Sequence, residues 1–162
     1  MQEKTITIAF SEYADEEELT DSDRSLCAEA VKALGTSHSP YSKFRVGTAL
    51  RLRSGKIIYG SNQENVAYPS GLCAERVALF SAGVNHPGDP IVAMAITAQT
   101  GNFELTQPVT SCGACLQVMA EYEKKQEVPI EIMFYCLEGP VWKTKGVRSL
   151  MPFMFYENRL EK

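Results

Sequence analysis

A chain of 162 residues with 44% hydrophobic and 22% charged side chains makes one globular domain, long enough to bury a core without disulfide staples. Its formal net charge of -4 and the absence of any Lys/Arg cluster exclude the electrostatic footprint of a nucleic-acid partner. No basic start leads into a long apolar stretch, so no membrane partner is expected; the cytoplasm is the expected compartment, where its 5 cysteines are thiols or metal ligands.

Residues 1–20 read as an extension, with a strand-like run Thr5-Ile6-Thr7-Ile8-Ala9-Phe10 and an acidic stretch, Asp15-Glu16-Glu17-Glu18, that suits a solvated face beside the first helix. Leu26, Ala30, Val31 and Leu34 follow helical spacing and predict an amphipathic helix over 21–34, stopped by Gly35. Ser37-His38-Ser39-Pro40 is a loop. Segments 46–52 and 56–59 flank Arg53-Ser54-Gly55 and read as a hairpin. A helix over 73–82 closed by Gly83, an apolar strand over 91–97, a helix over 112–122, strands over 130–136 and 141–145 and a short C-terminal helix complete the chain. Two strand-helix-strand units leading off a hairpin make a mixed sheet between helices, an α/β fold in a single domain over 21–162.

Two short boxes carry the chemistry. Cys73-Ala74-Glu75-Arg76 opens one predicted helix, and Ser111-Cys112-Gly113-Ala114-Cys115 opens another. Cys112 and Cys115 stand three residues apart, so one helical turn projects both toward a shared metal. A helix N-terminus favours thiolate, the form that ligates. Two such termini aimed at one place gather three sulfurs, and soft tetrahedral donors select Zn²⁺. Three protein ligands leave the fourth position to water, whose pKa zinc lowers from about 15.7 to roughly 7. Glu75, two residues past a ligand, is placed to move the protons of a hydrolysis, and Arg76 to offset the thiolate charge. A structural zinc site would need a fourth ligand from Cys136, Cys27, His38 or His86. Cys136 ends an apolar strand and Cys27 lies in an amphipathic helix, positions that suit small buried hydrophobes, and both histidines sit in loops. Taken alone, the second box also reads as a redox Cys-x-x-Cys pair.

Pro40-Tyr41-Ser42-Lys43-Phe44-Arg45-Val46-Gly47, Asn62-Gln63-Glu64-Asn65, Tyr68-Pro69, both cysteine boxes and Leu150-Met151-Pro152-Phe153-Met154-Phe155 together resemble the cytidine deaminase family, across residues 34–155. The resemblance implies a three-layer α/β/α sandwich around a mixed five-stranded sheet, one zinc per subunit, and deamination of cytidine or 2′-deoxycytidine by a zinc-bound hydroxide in pyrimidine salvage. It implies Cys73, Cys112 and Cys115 as ligands and Glu75 as proton shuttle. Asn62 and Glu64 would bind the ribose 3′-hydroxyl, Phe44 would pack on the sugar or base, and the Ala74 backbone would read the pyrimidine edge. It further implies a homotetramer in which Tyr68 and Phe155 act across a subunit interface. Three positions depart from the family pattern. Ser111 stands where Pro is usual and can start its helix as an N-cap. Leu116 replaces an Arg, leaving Arg76 more of the neutralising task, and Val66-Ala67 replaces Ala-Ser. A deaminase of another aminated nucleoside or analogue, of the blasticidin type, is the rival within this chemistry. A non-catalytic zinc-stabilised domain is the rival outside it.

Overall fold

The computed structural model describes residues 1–160, so the last two residues of the predicted 21–162 domain, 161–162, lie outside the described residues. In chain order it has β1 (Ser11–Tyr13), α1 (Asp21–Ala33), β2 (Phe44–Leu52), β3 (Ile57–Ser61), α2 (Ala74–Asn85), β4 (Ile91–Thr100), α3 (Gly113–Gln126), β5 (Glu131–Tyr135) and β6 (Val141–Lys145). The strands form one sheet in the order β1-β6-β5-β4-β2-β3. Every neighbouring pair is antiparallel except β4 and β5, which α3 joins as a crossover.

Residue alternation explains the three layers. Along the central strands, Met94, Ile96, Ile132 and Phe134 face a core shared with Leu79 and Ala82 of α2 and Met119 of α3. Their neighbours Ala93, Ala95 and Met133 face the other way, against Leu26, Cys27 and Ala30 of α1. β4 is covered on both faces, which accounts for its unbroken apolar run. The α1 face is lined by small residues and lets the helix approach closely: a Cβ on Gly47 would lie 2.3 Å from the Ala30 carbonyl oxygen.

Four expectations are corrected. The sheet has six strands, not five, because Ser11–Tyr13 adds to the outer edge of β6. A three-residue strand leaves no periodic signature; it is held by Trp142 Nε1, which donates to Glu12 Oε2 at 2.6 Å. The run Thr5-Ile6-Thr7-Ile8-Ala9-Phe10 is not a strand. In the register that sets Ser11 opposite Lys143, β6 ends at Lys145, which would face Ala9, so the earlier residues have no ladder to join. Gly83 does not stop α2, which continues to Asn85. A Cβ there would meet Tyr122 Oη at 2.3 Å, so this glycine serves the contact between α2 and α3. The C-terminal helix is two separate 3₁₀ turns, Val147–Ser149 and Asn158–Leu160. Among the described residues no helix is long and apolar enough to cross a membrane.

Candidate metal centre and active cleft

Cys73 is the N-cap residue of α2 and Cys112 that of α3, both in extended backbone, and Cys115 lies buried in the first turn of α3. The three Sγ atoms lie within 4.8 Å of one another, and Cys112 and Cys115 approach to 3.5 Å. A tetrahedral zinc with Zn–S near 2.3 Å sets its sulfurs about 3.8 Å apart, so the triad fits the ion with small adjustment. Among the described residues no fourth His, Cys, Asp or Glu donor joins this group. His38 is exposed, and His86 caps the far end of α2. The Cys136 thiol points to the Leu105 carbonyl oxygen at 3.1 Å, and burial pushes the Cys27 thiol up to about 12. Each of the two is spoken for as a buried thiol.

The cluster is electrostatically prepared for thiolate. The Cys115 thiol beside it, helped by Arg76, holds Cys73 well below its ordinary range, while Cys115 itself is raised by that same contact and by burial. Arg76 Nη2 lies 3.5 Å from Cys73 Sγ, and Arg76 Nε is buried without a hydrogen-bond partner. Two residues past Cys73, Glu75 is 5% exposed. Burial raises its carboxyl pKa; its own backbone N–H and the neighbouring Ser111 oppose the rise, and the negative charge of Cys73 adds to it.

Ser111 does not act as the expected N-cap. The cap position belongs to Cys112, no side chain caps α3, and Ser111 Oγ is buried with no hydrogen-bond partner of good geometry. The backbone enters α3 one residue later than an N-cap serine would require, which turns the hydroxyl inward.

A cleft of about 720 Å³ opens over this centre. Cys73, Cys112, Glu75 and Arg76 form its floor together with Ile96, and Asn62, Glu64 and Tyr68 line its walls. Asn62 Oδ1 accepts from Ser37 Oγ at 2.6 Å and Val46 N at 2.8 Å, while its Nδ2 donates to the Phe44 carbonyl at 2.8 Å. Glu64 accepts from the Tyr41 and Ser42 amides at 2.9 and 3.2 Å and from the Ser42 hydroxyl, which holds its carboxyl below the ordinary range. Both side chains thus brace the loop before β2 around the cleft mouth. Tyr41 and Ser42, within the 40–47 segment but given no role by the sequence, also line it, as do Val109 and Thr110, which the sequence did not single out. Val109 and Thr110 lie in the connection to α3, where no periodic signal exists.

Other predicted residues stand further off. Ala74 is buried in the first turn of α2. Phe44 is half-buried at the start of β2, stacked on Phe103 with ring centroids 6.2 Å apart, and is not among the lining side chains. Tyr68 is 78% exposed at the rim, edge-on to Tyr41. Phe155 is 70% exposed and outside the lining; its backbone is held by Gln117 through bonds of 2.9 and 3.0 Å.

Residues 1–111 match the family described as "Cytidine and deoxycytidylate deaminase zinc-binding region". A curated cytidine deaminase of Sporosarcina psychrophila is 45% identical over 135 residues, 83% of this chain and 92% of that one. The chain belongs to this deaminase family. A cytidine deaminase of Halalkalibacterium halodurans is 46% identical over 96 residues, 59% of this chain and 68% of the relative. Among solved structures, the cytidine deaminase of Burkholderia pseudomallei is 34% identical with a TM-score of 0.70, covering 85% of this chain and 100% of that one. The Mycobacterium tuberculosis enzyme is 27% identical with a TM-score of 0.65, covering 85% and 99%. In this member of the cytidine deaminase family, the three-cysteine group fits one zinc ion per chain. Leu116 packs against the core and carries no charge toward the sulfurs, so among the groups that perturb Cys73, Arg76 is the one cation.

Proposed function

We propose that this chain is a zinc-dependent hydrolase that converts cytidine or 2′-deoxycytidine to the corresponding uridine and ammonia, in pyrimidine salvage. The observation that carries the reading is one buried carboxylic acid, Glu75, beside three cysteine sulfurs gathered within 4.8 Å, two of which, Cys73 and Cys112, line the floor of a cleft. Relatives that bear the name cytidine deaminase at 45% and 46% identity support the substrate class.

In this reading Cys73, Cys112 and Cys115 hold the ion, and Arg76 offsets the charge of Cys73. Zinc, when bound, lowers the pKa of water so that a nucleophile exists near neutrality. Glu75 takes the proton of the water that attacks C4 of the pyrimidine and hands it to ring N3. It then takes the second proton of that water and delivers it to the exocyclic nitrogen, which leaves as ammonia. The raised pKa of Glu75 suits both halves of this exchange, since a carboxyl poised nearer neutrality can hold a proton between transfers. The Ala74 backbone reads the polar edge of the base. Asn62 and Glu64, already lining the cleft, bind the ribose 3′-hydroxyl; one Nδ2 hydrogen of Asn62 remains for it. Phe44 supports the sugar from behind that wall.

Residues 21–162 form the catalytic domain, residues 1–20 an extension. The protein is cytoplasmic and works as a homotetramer in which Tyr68 and Phe155, both exposed in the single chain, reach a neighbouring cleft. Neither nucleic acid nor membrane is a partner. A panel of nucleosides, free bases and monophosphates, assayed before chelation, after chelation and after zinc is returned, tests the reading. Loss of cytidine ultraviolet absorbance that disappears on chelation and returns with zinc is the expected result. Zinc binding with no turnover of any aminated pyrimidine overturns it.

A further inference from the structure

We propose that His38, Lys43 and Arg45 form a second small-molecule site, one that takes the phosphate group of its ligand. All three line a cavity of about 590 Å³ together with Ser39, Gln99 and Thr100, and no acidic side chain lines it. The chain carries a formal net charge of -4, yet neither Lys43 nor Arg45 forms an ion pair among the described residues. Two unpaired cations over one concave surface focus a positive potential into it. The Lys43 amide donates to the Ser39 carbonyl at 3.1 Å and closes a turn in which Lys43 holds left-handed backbone, at φ 56°. Arg45 stands directly opposite Gln99 in the ladder of β2 and β4, so their side chains leave the sheet on one face.

Strand alternation separates this cavity from the active cleft. Val46 lines the cleft and its neighbour Arg45 the cavity, on opposite faces of β2. His38 joins the two: its side chain lines the cavity, while its backbone N–H donates to the Asn62 carbonyl at 3.0 Å and its carbonyl accepts from the Glu64 amide at 2.8 Å. A bound ligand therefore sits behind the cleft wall without entering the cleft. The donor set fits a phosphate better than a carboxylate. The guanidinium fork takes two oxygens, the ammonium adds a point charge, and the imidazole, the Ser39 and Thr100 hydroxyls and the Gln99 amide remain for further oxygens. A carboxylate, with two oxygens and one charge, leaves most of these donors unused. The cavity has the size of a small-molecule site, so an organic body fits beside the phosphate.

The test is titration calorimetry on the zinc-loaded protein with inorganic phosphate, ribose 5-phosphate and adenosine 5′-monophosphate, and with adenosine as the uncharged control. Saturable binding of at least one of the three phosphates is expected, and none of adenosine. Lys43→Gln and Arg45→Gln should each weaken that binding about tenfold or more, while Lys56→Gln, which removes the same charge from the β2–β3 hairpin, should leave it within about twofold. Tighter binding of the two sugar phosphates identifies an organic phosphate as the ligand, and equal affinity for all three identifies the free ion; either result upholds the site. It is overturned if none of the three binds, if adenosine binds as tightly as its monophosphate, if Lys56→Gln weakens binding as much as the other variants, or if Lys43→Gln and Arg45→Gln leave it intact.

Discussion

The five cysteines sit in different environments, which gives them unequal reactivity. Cys112 is exposed at the tip of α3, whereas Cys27 is buried with its thiol pushed up to about 12. After chelation, brief alkylation at pH 8 should modify Cys112 and leave Cys27 untouched, as read by peptide mass spectrometry. Zinc should protect Cys112. Arg76→Ala removes the cation nearest Cys73 and should weaken zinc retention about tenfold or more, measured by competition with a chromogenic chelator. That the three cysteines come together, with Glu75 beside them, was legible in the sequence because both boxes open helices. Ser111 was misread: a serine before a helix reads as a cap, whereas Cys112 holds the cap position and no side chain caps α3.

Elements deliver these residues through close contacts that sequence patterning does not encode. Gly60 of β3 lies under the first turn of α2, where a Cβ would meet the Ala74 carbonyl oxygen at 2.3 Å and the Ala78 amide nitrogen at 2.6 Å. Backbone atoms cannot step aside as a side chain can, so Gly60→Ala must push α2 away and carry Cys73 and Glu75 with it. It should cost about 2 kcal/mol of stability in chemical denaturation and reduce zinc content more than Gly35→Ala, whose Cβ meets nothing within 4 Å. A second element contact ties α1 to the sheet. Lys143 Nζ on β6 donates to Asp23 Oδ2 at 2.8 Å, and it also pairs with Glu131 at 3.1 Å. Burial works against the Lys143 charge, yet Asp23 and Glu131 outweigh it and raise its pKa above the ordinary 10.5. A cation with a raised folded pKa stabilises fully below its unfolded value and loses that contribution as pH climbs through the folded one. Thermal stability should therefore fall above pH 10.5, and Lys143→Met should flatten that fall while costing about 3 kcal/mol at neutral pH by stranding the buried Asp23. The hairpin, the central strand and the three helices were readable from apolar periodicity. The pairing of β1 with β6 was not, because three residues hold too little pattern and the contact is set by Trp142 and Glu12 far apart in the chain.

At the scale of the whole molecule, the chain leaves Val66, Tyr68, Val84, Phe153 and Phe155 each at least 70% exposed. A homotetramer would cover part of this surface, and sedimentation should return about four times the chain mass of 17.9 kDa. If Phe155 reaches a neighbouring cleft, Phe155→Ala should raise the KM for cytidine severalfold without loss of zinc. At the centre of the proposed site is a carboxyl, Glu75, that shuttles protons beside a metal it does not ligate. Zinc content and cytidine turnover, measured together on Glu75→Gln, test this most directly. The account predicts one zinc per chain with turnover reduced by about 10²–10⁴-fold; near-normal turnover, or a protein that no longer holds zinc, would contradict it.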